Sequence, residues 1–95
     1  MAVFLVTLAE PPVGNAPNIE DAIKSKYPND HKKVGELAWL VSDSKAITPH
    51  DVDMVLLGSG QNPVNIYGPH IVSSFSGYWG YHDKETWEWL NHRGM

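Results

Sequence analysis

Residues 2–8 read Ala-Val-Phe-Leu-Val-Thr-Leu, a run without charge, proline or glycine. Its length and its β-branched and aromatic content mark a strand. Apolar side chains on both sides of that strand require other strands beside it and cover on at least one face. The rest of a 95-residue chain has to supply that sheet and its cover. One hydrophobic core suits this length, so residues 1–95 read as a single domain.

The segments that follow alternate in character. Residues 10–17 contain three prolines and a glycine and read as a loop. Asn18 is placed to cap a helix over 18–27, with Glu20 and Asp21 in its first turn. Ile19, Ala22, Ile23 and Tyr27 share one face of it, and Pro28 stops it. Residues 31–42 read as a hairpin: a weak arm at Lys32-Lys33-Val34, a turn at Gly35-Glu36 and a strong strand over 37–42. Thr48-Pro49-His50-Asp51 opens a second helix, with Val52, Val55 and Leu56 as its buried stripe and Gly58 as its end. Residues 58–63 read as a turn and 64–67 as a short strand. Residues 71–75 read as a better strand and 77–81 as an aromatic loop. Asp83 caps a last short helix that ends near Gly94.

The order β-α-β-β-α-β predicts an α+β, ferredoxin-like sandwich: a four-stranded antiparallel sheet with two helices on one face, plus a short C-terminal helix. Two helices leave the second sheet face bare, and four Trp, four Tyr and two Phe exceed what one small core covers. Both features point to a homodimer.

Composition narrows the function. The absence of cysteine excludes disulfides, thiolate zinc sites and a cysteine nucleophile, and fits a cytoplasmic location. No apolar run approaches the ~20 residues of a membrane span, and Met1 to Val6 has neither the basic region nor the apolar length of a signal peptide. Seven Lys and Arg against eleven Asp and Glu give a net charge of −4, which disfavours a nucleic-acid role. Lys24, Lys26, Lys32, Lys33 and Lys45 nevertheless cluster in sequence. They are lysines on one helix and a hairpin, or a local basic patch.

Four stretches carry a resemblance to a known family: Val3-Phe4-Leu5-Val6-Thr7, Ile19 to Ser25, Ala38-Trp39-Leu40-Val41-Ser42-Asp43, and Trp87-Glu88-Trp89-Leu90. In them the chain resembles the small bacterial SinR-family proteins (not the helix-turn-helix repressor of that name). Those in turn resemble the Cas-two subunit of CRISPR spacer acquisition. The resemblance implies a ferredoxin-like homodimer. It also implies that an aspartate ending the first strand meets its mate across the two-fold axis and holds Mg²⁺ for phosphodiester hydrolysis. Here Leu8 and Ala9 stand where that family has an aromatic residue and the aspartate. Alanine binds no metal, and Glu10, one residue on, turns to the other side of an extended strand. The family packs its C-terminal aromatic region near the dimer interface, which implies interface or tail packing for Tyr78, Trp79, Tyr81, Trp87 and Trp89.

Other patterns are weaker. His31, His50, His70, His82 and His92 form no i, i+4 pair, His82-Asp83 reads as a helix start, and His50, Asp51 and Asp53 read as helix N-terminus residues. Thr7, Ser42, Ser73, Ser74 and Ser76 stand in no nucleophile motif, and Gly58-Ser59-Gly60 is a lone Gly-x-Gly. The resulting expectation is a cytoplasmic, homodimeric, non-catalytic binding or scaffold module without cofactor, metal or membrane. Two alternatives stand beside it. One is a nucleic-acid-binding module using Lys24, Lys26, Lys32 and Lys33. The other is a residual Mg²⁺-dependent nuclease using Glu10 as metal ligand.

Overall fold

The structure is a computed structural model that describes residues 2–12, 18–58, 67–77 and 80–94. In chain order the elements are β1 (Ala2–Leu8), α1 (Ile19–Lys26), β2 (His31–Gly35), β3 (Ala38–Asp43), α2 (Pro49–Leu57), β4 (His70–Ser74) and α3 (Lys84–Asn91). The sheet order is β2-β3-β1-β4 with every neighbouring pair antiparallel. This is the ferredoxin-like α+β arrangement expected from the order of elements. The apolar run at residues 2–8 is one of its two central strands, as its composition requires.

Local chemistry sets the element ends. Asn18 accepts the Glu20 N–H at 2.9 Å to start α1, and Thr48 with Asp51 forms a reciprocal capping box at α2. Gly58 ends α2 at φ +84°, a backbone region that costs a residue with a Cβ. The hairpin turn falls one residue later than expected, at Glu36–Leu37. Gly35 stays in β2 opposite Ala38, after a register irregularity that begins at Lys33. Val55, expected in the buried stripe of α2, is half-exposed, and Leu57 is buried instead. Residues 64–66 of the expected short strand lie outside the described residues, and Tyr67 is in a turn.

Because successive strand residues face opposite ways, β1 is read twice. Phe4, Val6 and Leu8 join Trp39 and Val41 of β3 against Ile19 and Ile23 of α1 and Val52 and Leu56 of α2. Val3 and Leu5 join Leu40 on the other face, where Leu90, Trp87 and Trp89 of α3 pack on them. The second face is therefore not bare: α3 covers part of it. The sequence pattern showed an amphipathic tail helix but not which surface it would meet.

Arg93, which no motif marks out, fastens that helix. Its guanidinium lies 3.9 Å from the centroid of the Trp89 ring. It donates to the Asn29 carbonyl at 2.9 Å and to the Asp30 carboxylate at 3.2 Å, both just before β2. At the other end His82 bonds the Val34 carbonyl of β2, and Asp83 caps α3 by accepting the Thr86 N–H at 2.8 Å. Thus α3 is tied at both ends to one edge of the sheet.

Candidate functional site

The residues named from sequence do not gather. Glu10 stands exposed just past β1, after Ala9 has donated its N–H to the Pro69 carbonyl at 2.9 Å. Among the described residues, no three His, Asp or Glu side chains converge as a metal site. Lys24 and Lys26 are exposed in the last turn of α1. Lys32 pairs in register with Leu40 and Lys33 with Trp39, so these two lysines face opposite sides of the sheet. Lys33 is engaged by Glu20 at 3.1 Å and lies 5.7 Å from the centroid of the Trp39 ring. Lys24, Lys26, Lys32 and Lys33 therefore do not form one basic face. Trp87 and Trp89 pack in the cluster beneath α3, whereas Tyr81 is fully exposed. Tyr78 and Trp79 lie outside the described residues.

The two sheet edges differ in kind. The β2 edge carries two lysines and a glycine, breaks its register, and is bracketed by the His82 and Arg93 contacts of α3. These are the features that discourage another strand from pairing. The β4 edge reads His-Ile-Val-Ser-Ser, with neither Lys, Pro nor a bulge. The Ala9 and Phe75 N–H groups bond the Pro69 and Val3 carbonyls, and antiparallel alternation then makes Thr7–Ile71 and Leu5–Ser73 the hydrogen-bonded pairs. His70, Val72 and Ser74 therefore aim their backbone N–H and C=O groups away from the sheet. No described residue covers them. Beside this edge Ile71 is 67% exposed, on the face shared with Thr7 and Ser73.

The start of β4 is held by a pair of side chains seventeen positions apart. His70 Nε2 lies 2.7 Å from Asp53 Oδ1 of α2, and His70 Nδ1 lies 2.9 Å from the Gly68 carbonyl. Both partners are acceptors, so each ring nitrogen has to donate, and only the imidazolium carries both protons. Burial pushes the His70 pKa down, but the Gly68 carbonyl and the Asp53 carboxylate together outweigh it, and the pKa lies above its ordinary value. Tyr67 supports the same turn by donating its hydroxyl to the Leu56 carbonyl at 2.5 Å. Of the residues expected at the N-terminus of α2, Asp51 has that role, whereas Asp53 faces His70. No local spacing reveals such a pair, because only the packing of α2 against β4 creates it.

A second pair closes the opposite end of the sheet. Tyr27 donates its hydroxyl to Asp43 Oδ2 at 2.7 Å, and Asp43 Oδ1 accepts the Lys45 and Ala46 N–H groups at 2.8 and 2.9 Å. A polar cleft of about 520 Å³ opens beside this pair, with Lys26, Asp30 and Lys45 on its walls. Burial and the neighbouring Asp43 charge push the Tyr27 pKa well up. Burial pushes Asp43 up as well, but the Tyr27 hydroxyl and the two amides outweigh it and leave its pKa lowered. Both oxygens of the carboxylate are thus committed to holding β3, the end of α1 and the loop into α2 together. No helix among the described residues is long and apolar enough to cross a membrane. Comparison of the chain with protein-family models, with curated proteins and with solved structures finds no match.

Proposed function

We propose that the chain is a non-catalytic binding module that works as a homodimer joined through the β4 edges of two copies. The observation that carries this reading is the unequal treatment of the two edges: β2 is guarded, whereas no described residue covers the outward edge of β4. Centred on Val72, an isologous antiparallel pairing places Val72 opposite its mate and His70 opposite Ser74 of the second copy. All three residues have outward N–H and C=O groups to exchange. The same register sets Ile71 of each copy against Ser73 of the other, which covers an exposed apolar side chain. The result is one continuous eight-stranded sheet. The resemblance to the SinR and Cas-two proteins also implies a homodimer. A non-catalytic role is supported by Ala9 after the strand end and by the lack, among the described residues, of any cluster of metal-ligating side chains that includes Glu10.

Sedimentation at tens of micromolar tests this directly. The wild-type chain is expected to sediment as a dimer. The double variant Ile71→Lys/Ser73→Lys sets ammonium groups opposite one another across the pairing and weakens association by more than about tenfold. Its circular dichroism should stay unchanged, because Ile71 is already mostly in water. Lys32→Glu/Lys33→Glu on the guarded edge leaves association unaffected. A wild-type monomer at these concentrations, or a double variant that still dimerises normally, sinks the reading.

A further inference from the structure

His70 begins β4, and its protonation decides how firmly that strand starts. Among the described residues, the groups facing its ring are few. From α2 they are Asp53 and, in the same small cleft, the exposed His50. From the preceding turn they are the Gly68 carbonyl and the Tyr67 ring, edge-on at 6.3 Å between centroids. Leu8 of β1, its register partner, brings no charge. The His70 side chain is only 8% exposed, so water does not readily replace a lost partner. Once the ring is neutral it has one N–H for two acceptors. Its bare nitrogen then points a lone pair at a carbonyl or a carboxylate oxygen, and that contact turns from attractive to repulsive.

We infer that His70, clamped between Asp53 and the Gly68 carbonyl, is a proton-operated tie that fastens the start of β4 to α2 and thereby makes pairing of the β4 edge depend on pH. The inference rests on the reading of that edge as the dimer contact and adds its regulation. The direction follows from the raised pKa of the ring. The tie is fully present below the unfolded-state value of about 6.5 and is lost as the pH rises through the higher folded-state value. The dimer therefore tightens in mildly acidic solution and loosens in alkaline solution.

Sedimentation at pH 6 and pH 9, with a nitrogen-15 NMR titration of the His70 ring, tests the inference. The wild-type dissociation constant is expected to rise several-fold across this range, because the imidazolium donates to both the Asp53 carboxylate and the Gly68 carbonyl and the neutral ring to only one of them. His70→Asn, which cannot bridge both acceptors, abolishes the dependence. Asp53→Asn shifts its midpoint down by removing the charge that favours the imidazolium. His50→Asn leaves the dependence in place and serves as the control for the neighbouring imidazole. A pH-independent dimer, or a dependence that survives His70→Asn, overturns the inference. If the wild type is monomeric throughout, the dimer reading fails, and amide exchange at Ala9, whose N–H bonds Pro69 beside the tie, decides the rest. After correction for intrinsic rates, a drop in protection from pH 6 to pH 9 that His70→Asn removes keeps the tie. Unchanged protection overturns it.

Discussion

Leu90→Ala is expected to cost about 3 kcal/mol of stability, within the range for truncating a fully buried leucine. Leu90 has no exposure and is the side chain of α3 that sits deepest on Val3 and Leu40. For a domain of this size that loss lowers the melting temperature by roughly 15 °C. The argument rests on what the helix covers. With Leu90 truncated, Trp87 and Trp89 keep contact with the sheet only at its margin, and Arg93 alone holds the end of the helix. Leu5, Val34 and Phe75 then gain water on one side. Chemical denaturation with tryptophan fluorescence reads the effect, and increased binding of an apolar dye in the native baseline reports the uncovered face. A loss below about 1 kcal/mol would show that α3 contributes little to the second layer.

Removing the Asp43 carboxylate is expected to be nearly as damaging. Asp43→Ala takes the acceptor from the Tyr27 hydroxyl and from two backbone amides at once. The Tyr27 side chain lies in the main core, so its hydroxyl becomes a donor without a partner, and the total cost is about 2–3 kcal/mol. Tyr27→Phe removes donor and hydroxyl together and costs about 1 kcal/mol. A double-mutant cycle should therefore show coupling of about 1 kcal/mol, and additive losses would refute the pairing. The pH dependence has a definite sign. The Asp43 pKa is lowered on folding, so its contribution is present above the unfolded-state value near 3.9 and disappears as the pH falls through the lower folded value. The deficit of Asp43→Ala relative to wild type should shrink correspondingly in acid.

The elements that the sequence announced most clearly are those with local chemistry at their ends. Asn18, the Thr48–Asp51 box and Asp83 are each caps that act within three residues, and each starts a helix where it stands in the sequence. The seven apolar residues of β1 identify a central strand because an edge strand has no need of apolar side chains on both faces. What resisted reading were contacts between residues distant in sequence. Arg93 meets Asn29 and Asp30 across more than sixty positions, and His70 meets Asp53 across seventeen. Periodicity carries no record of such partners. The lysines make the same point: Lys32 and Lys33 are adjacent in sequence, and strand geometry sends them to opposite faces.

The sequence alone determined the βαββαβ order, because capping, punctuation by Pro and Gly, and strand composition act over a few residues. That an alanine, Ala9, follows the first strand is equally a property of the sequence. Only the tertiary structure decided where α3 lies, since an amphipathic helix specifies that it will be buried on one side but not against what. It also decided which edge of the sheet is guarded, because the lysines, the irregular register and the α3 contacts fall on β2 through the order in which the strands assemble. That order puts β4 at the other edge, which no described residue covers, and brings Asp53 to His70 at its start.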